Sequence, residues 1–156
     1  MDVYHNHLIL SKAKYYESDS LKRDAQNYDA IIAGSDQIWS HKNNGLDFNY
    51  LLEFVPNNVK KISYSSSFGL VQIPNRLKDK YSFLLNRIDF TSVREETGQN
   101  LVKKLTGKLP FLAVDPVLLH DNNFWDNISD KVKFKAREYD LYYLNDNYHW
   151  NSPIFK

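Results

Sequence analysis

The stretch Tyr28–Ser40, YDAIIAGSDQIWS, decides how the rest of the chain is read. Asp29–Ala33 is a short apolar run containing β-branched residues, the right length for a buried strand and too short for a buried helix. Gly34 closes it. Ser35 or Asp36 is suited to N-cap the element that follows, which the sequence predicts to be a helix carrying Trp39. Small and charged groups are thereby delivered to the carboxyl end of a strand. In open parallel sheets that edge is where ligands bind.

Working outward, the same succession of short apolar strand, small-polar turn and helical stretch recurs. Residues 8–26 are charged and weakly periodic, consistent with one or two helices. Residues 41–59 are loop-like, with the Asn43-Asn44-Gly45 turn signal and Pro56. A second strand is expected over residues 61–66, running into Phe68-Gly69. Pro74 then sits where a helix would begin, and Leu77, Tyr81, Leu84, Leu85 and Ile88 recur at helical spacing. A third strand is expected over 88–93, followed by a helix to about Leu105 whose first-turn glutamates favour the helix dipole. A fourth strand is expected over 109–114, ending in Asp115-Pro116, then a short helix over 123–128 and a fifth strand over 139–144. Strands alternating with helices imply parallel pairing. The expected fold class is α/β, a Rossmann-like parallel sheet with flanking helices. Its expected division is a helical lead-in over 1–27, a partial Rossmann-like domain over 28–128, and a linker with the first strand of a second domain over 129–156.

Composition removes several functional classes. The chain has 156 residues, with 20 basic against 19 acidic side chains and a net charge of +1. That balance leaves no electrostatic footprint for nucleic acid and no polybasic patch for a membrane surface. Lys60-Lys61 and Lys103-Lys104 read as solvated positions. There is no cysteine, which excludes disulfides and thiolate metal sites. No stretch approaches the roughly 18 apolar residues of a membrane span, and MDVYHNHLIL lacks the basic start and long apolar run of a signal peptide. The expected location is cytoplasmic, with peripheral attachment at the inner face of the membrane as a variant. His5-Asn6-His7 spells a nuclease-like triplet, but no supporting metal ligands follow it, and no metal site is expected. GxGxxG, GxxxxGK[ST], GxSxG and HExxH are all lacking, so four familiar enzyme classes lose their main support.

Four strand ends remain as candidates: Gly34-Ser35-Asp36, Ser65–Gly69, Ser92–Glu95 and Asp115-Pro116. If the strands are parallel, all of them reach one edge. Small residues there let backbone N–H groups approach a ligand, and Arg94 can grip a carboxylate or phosphate with two parallel hydrogen bonds. Asp36 stands where a substrate hydroxyl can reach it. Each has a purely structural reading as well. Asp36 caps a helix, Trp39 packs in the core, Ser65–Ser67 end a strand, Arg94 and Glu95 pair with neighbours, and Asp115 fixes a turn before Pro116.

The blocks YDAIIAGSDQIWS, KKISYSSSFG, IDFTSVREETGQNLVKKLTG and AVDPVLL, in this order and spacing, resemble the polysaccharide pyruvyl transferase family. The resemblance covers residues 27–125 and extends toward 139–144. It implies an enzyme with two Rossmann-like domains, similar to GT-B glycosyltransferases, with a cleft between them. Such enzymes transfer a pyruvyl group from phosphoenolpyruvate to sugar hydroxyls of bacterial surface polysaccharides, with no cofactor beyond the donor substrate. Against that pattern the chain is expected to lack the opening strand–turn–helix and most of the donor-site domain, and so to be inactive alone.

The substrate-binding residues implied by the resemblance are Gly34, Ser35, Asp36, Gln37 and Trp39 in the first block and Ser67, Phe68 and Gly69 in the second. Arg94 and Glu95 belong to the third block, and Asp115 to the fourth. They are expected to line the acceptor-sugar side of the cleft. No catalytic residue is assigned, because His5, His7, His41, His120 and His149 fall on no matching motif. The implied partners are a glycan or lipid-linked oligosaccharide acceptor and either a complementary C-terminal half or a second copy of the chain. Two other readings stay open: a non-catalytic remnant or carbohydrate-binding module, and a fragment of a GT-B-type glycosyltransferase using a nucleotide sugar.

Overall fold

The computed structural model describes residues 9–11 and 13–128. The His5-Asn6-His7 triplet, the strand expected over 139–144 and the segment expected over 129–156 lie outside the described residues. The chain divides into two compact units, Met1–Asp121 and Asn122–Lys156. In the second, helix α4 (Asn122–Ile128) is described.

The first unit runs α1 (Ser18–Ala25), β1 (Ala30–Ala33), a 3-10 turn (Phe48–Leu51), β2 (Lys60–Ser66), α2 (Asn75–Asn86), β3 (Phe90–Val93), α3 (Glu96–Thr106), β4 (Phe111–Leu112) and a second 3-10 turn (Pro116–Leu119). The four strands form one sheet in the order β1-β2-β3-β4, and every pair is parallel. With helices packed alongside, this is the Rossmann-like α/β arrangement. Parallel pairing in sequence order puts all four carboxyl ends on one edge, and that is what positions the site.

Side-chain alternation assigns the two faces of the sheet. On one face, Ile31 and Ala33 of β1 pack against buried Leu52, Val55 and Val59. Val93 of β3 joins Leu77, Tyr81, Leu84 and Leu85 of α2 and Leu101 and Val102 of α3 in the main core. The apolar residues of α2 fall on its inward side because they recur every three or four positions. On the opposite face, Ile32, Ile62 and Phe90 stand in register across three strands. Ile32 and Phe90 remain exposed there.

Three local features depart from the sequence-based expectation. No helix forms after Asp36, and Asp36–Trp39 is a run of turns. Their backbone groups are engaged elsewhere: Ser67 N donates to Asp36 O at 2.8 Å, and Trp39 N donates to Ser67 O at 3.0 Å. A helix would need those groups for itself. Strand β4 is only Phe111–Leu112, shorter than the run expected over 109–114.

Lys61 is not solvated, as the sequence predicts, but 3% exposed. Period-two alternation in β2 turns it inward, and its ammonium donates to Pro56 O at 2.7 Å and Val59 O at 3.0 Å. Burial lowers its pKa, with Arg87 acting in the same direction. Lys103 and Lys104 are exposed, as expected. Among the described residues, no helix is long and apolar enough to cross a membrane.

Candidate functional site

The edge is built by β2. A register irregularity lies between Ser63 and Ser66, and Ser65 within it has φ 52°. The irregularity pushes the Tyr64 carbonyl against the end of β1, where a Cβ on Gly34 would stand 1.9 Å from Tyr64 O. No side chain fits there, so the close of the apolar run at Gly34 is dictated by backbone contact. Gly69 is constrained twice, by φ +56° and by the Gln37 side chain, whose Cδ would lie 2.4 Å from an added Cβ.

The serines of β2 join the strands. Ser66 Oγ donates to Ala33 O at 3.2 Å, Ser63 Oγ to Ser92 O at 3.1 Å, and Ser65 Oγ to Ala113 O at 3.2 Å. Ser92 Oγ donates to Ser63 O at 3.0 Å and accepts from Ser65 N at 2.9 Å. These buried hydroxyls hold strand ends together and have no surface left for a ligand.

Glu95 performs a similar task one layer out. Its Oε1 accepts from Ser67 Oγ at 2.9 Å and from Phe68 N at 3.1 Å, while Ser67 Oγ accepts from Gly69 N at 3.0 Å. The loop after β2 is thus tied to the start of α3. Trp39 and Phe68 are 1% and 0% exposed and meet edge to face with centroids 5.2 Å apart. Trp39 Nε1 donates to Tyr50 O at 3.1 Å. Neither ring can serve as a sugar platform, and of the two readings of Trp39 the structural one holds.

What stays open at the edge is charged. Arg94 Nη1 donates to Asp115 Oδ2 at 2.8 Å and Nη2 to Asp36 Oδ1 at 3.4 Å. Ser35 Oγ donates to the same Asp115 oxygen at 2.9 Å, and Asp115 Oδ1 accepts from Val117 N at 3.1 Å, capping the 3-10 turn. Hydrogen bonds from Arg94, from the Val117 backbone and from Ser35 hold the Asp115 carboxyl below its ordinary pKa. In turn Asp115, and then Asp36, raise that of Arg94. The Asp36 side chain is 85% exposed, with φ 57°, a conformation aspartate tolerates better than most residues. It caps no helix, so its carboxylate keeps nearly all its acceptor capacity for solvent or a ligand.

The expected residues therefore separate. Gly34, Ser35, Asp36, Gln37, Gly69, Arg94 and Asp115 meet at the accessible edge. Trp39, Ser67 and Phe68 lie beneath it, and Glu95 links the two layers. Asn43, which sequence reading treated only as part of a turn signal, reaches the same edge, its Nδ2 donating to Gln37 Oε1 at 2.9 Å. Tyr64 contributes a backbone carbonyl, for which a side-chain motif holds no signal. Chemically, the arrangement offers an exposed carboxylate beside a guanidinium already neutralised on its far side. That combination suits a polyhydroxylated ligand better than a small dianion.

The fold is a Rossmann-like parallel sheet with a polar cluster across its carboxyl edge, the edge at which open α/β sheets take ligands. The family model for Polysaccharide pyruvyl transferase matches residues 2–156, and the chain belongs to that family. The match extends well beyond the four motif blocks at both ends. Neither curated proteins nor solved structures gave a match.

Proposed function

We propose that these residues form the acceptor side of a polysaccharide pyruvyl transferase, which moves a pyruvyl group from phosphoenolpyruvate to hydroxyls of a glycan or lipid-linked oligosaccharide. The carrying observation is the Asp36 carboxylate, exposed at the strand-end edge while Arg94 beside it is anchored by Asp115. Pyruvyl transfer protonates the enol carbon of the donor and leaves an oxocarbenium-like centre at the neighbouring carbon. A sugar oxygen then forms a bond to that centre and loses its proton. The second hydroxyl displaces phosphate, so that two C–O bonds to the sugar replace the ester bond and the enol double bond. Asp36 accepts a hydrogen bond from the attacking hydroxyl and orients it, and Arg94 holds Asp36 in place.

The donor carries a phosphate and a carboxylate, which call for several cations together. Among the described residues Arg94 is the one arginine at this edge, and two carboxylates already engage it. The donor cradle is therefore assigned to other residues of the enzyme. The test is phosphate release from phosphoenolpyruvate on adding a glycan acceptor. Release of a nucleoside diphosphate from a nucleotide sugar would favour the glycosyltransferase reading instead. Saccharide binding without either release would favour a carbohydrate-binding module.

A further inference from the structure

Gln37 is exposed at the sheet edge, yet its side chain is held on two sides. Against one side, a Cβ on Gly69 would stand 2.4 Å from Gln37 Cδ and 2.5 Å from Oε1, so the amide lies directly on glycine backbone. That backbone is itself tied down. Gly69 N donates to Ser67 Oγ at 3.0 Å, and Ser67 Oγ donates to Glu95 Oε1 at 2.9 Å. On the other side, Asn43 Nδ2 donates to Gln37 Oε1 at 2.9 Å. Asn43 is fixed in turn, its backbone N–H donating to Ser40 O at 3.1 Å.

The Asn43–Gln37 contact adds nothing to the core. Both residues are exposed, and two exposed amides give up side-chain freedom to meet, which offsets most of what a solvated hydrogen bond returns. What the contact does settle is which end of the Gln37 amide faces outward. A carboxamide has one carbonyl acceptor and two N–H donors. Asn43 occupies Oε1, and Nε2 has no partner among the described residues. The donor end is therefore the open one. Donation into Oε1 also polarises the amide and strengthens its N–H groups as donors. Gln37 directly follows Asp36, whose ionised carboxylate only accepts. The edge thus offers a donor next to an acceptor.

We propose that Gln37, positioned by Asn43 and Gly69, selects the acceptor saccharide by donating from Nε2 to a second oxygen of the sugar whose attacking hydroxyl Asp36 receives. This selection rests on the acceptor-side reading of the edge. The two residues ask for different things. Asp36 needs a hydroxyl proton, whereas Gln37 needs only an oxygen lone pair. A sugar lacking the second oxygen leaves the Gln37 donor unanswered and binds less well. Asn43 acts through Gln37 and is a positioning residue.

The test is a two-dimensional NMR titration of the labelled full chain with hydrolysed bacterial exopolysaccharide. It continues with methyl glycosides of the component sugars and their monodeoxy and mono-O-methyl derivatives. At one ring position both changes are expected to weaken binding, because Asp36 loses its hydroxyl. At another, removal of the oxygen weakens binding about tenfold while O-methylation leaves it unchanged, and the Gln37 Nε2 signals shift. Gln37→Ala is expected to abolish that tenfold discrimination. Asn43→Asp replaces a donor by a group that only accepts, so the Gln37 amide turns round and presents Oε1. In that variant the O-methyl sugar is expected to bind as weakly as the deoxy one, an inversion that a merely structural role for Asn43 would not produce. Shifts at Asp36 and Arg94 with unmoved Gln37 Nε2 signals, or a discrimination that Gln37→Ala preserves, would overturn the role of Gln37 and leave the acceptor edge standing. Unmoved signals at Asp36 and Arg94 with every saccharide would overturn both.

Discussion

Arg94 donates to Asp115 at 2.8 Å and to Asp36 at 3.4 Å, so a single guanidinium links the ends of β1, β3 and β4. The two carboxylates are not equivalent. Asp115 is also engaged by Ser35 Oγ and Val117 N, while Asp36 has this one long contact and a side chain 85% exposed. Asp115 is therefore the anchor, and Asp36 is the carboxylate left open to solvent or a ligand. Arg94→Lys keeps a charge but loses the two-pronged geometry. It is expected to retain the Asp115 contact while weakening saccharide binding about fivefold, a factor measurable by calorimetry. Arg94→Ala is expected to weaken it further and to let the Asp115 carboxyl titrate closer to its ordinary value, which carboxyl-carbon NMR reads directly.

The depressed pKa of Asp115 fixes the sign of an acid effect. A carboxyl that titrates lower in the folded chain than the ordinary 3.8 contributes stability that is complete above that value. The contribution is lost as pH falls through the folded value. Unfolding free energy should therefore decline below about pH 4, and Asp115→Asn should flatten that decline while lowering stability at neutral pH. Urea titrations across the acid range measure both.

Gly34→Ala introduces a Cβ 1.9 Å from Tyr64 O. Backbone has to move on both strands, and the expected loss is about 3 kcal/mol. Gly45→Ala makes a good control, since a Cβ there meets nothing within 4 Å, although its φ of +56° still costs about 1 kcal/mol. The ordering of the two urea midpoints checks the argument.

Tyr81 is buried, and its hydroxyl donates to Trp39 O at 2.9 Å. Desolvation pushes its pKa up to about 12 from 10.0. The folded chain thus holds the phenolic proton more tightly than the unfolded one. The stability this supplies is present below pH 10 and disappears as pH rises toward about 12. Tyr81→Phe is expected to cost about 1–2 kcal/mol at neutral pH, because the Trp39 carbonyl loses its donor. The variant should also lose part of the alkaline sensitivity, as unfolding followed by Trp39 emission would reveal.

The order of strands and helices was legible because apolar spacing distinguishes a period of two from one near 3.6. The meeting of Asp36, Arg94 and Asp115 was legible once the strands were taken as parallel. What escaped were features set by contacts distant in sequence. Nothing in GSDQIW states that Ser67 takes the backbone groups of Asp36 and Trp39, so a helix was expected where turns form. Lys61 resembles a surface lysine until the Pro56 and Val59 carbonyls are seen to receive it. The serines of β2 look like ligand-binding groups in sequence, yet their hydroxyls are used between strands. Trp39 illustrates the general difficulty: its type allows either core or platform, and only the packing of Phe68 and Tyr81 places it in the core.

The most direct test of the acceptor-side account is a two-dimensional NMR titration of the labelled chain with hydrolysed bacterial exopolysaccharide, alongside Asp36→Asn. The account predicts saturable shifts at Asp36, Gln37, Gly69 and Arg94, with the buried ring signals of Trp39 and Phe68 little changed, and loss of the response in Asp36→Asn. Unmoved signals at those four residues, or an identical titration curve for the variant, would contradict it.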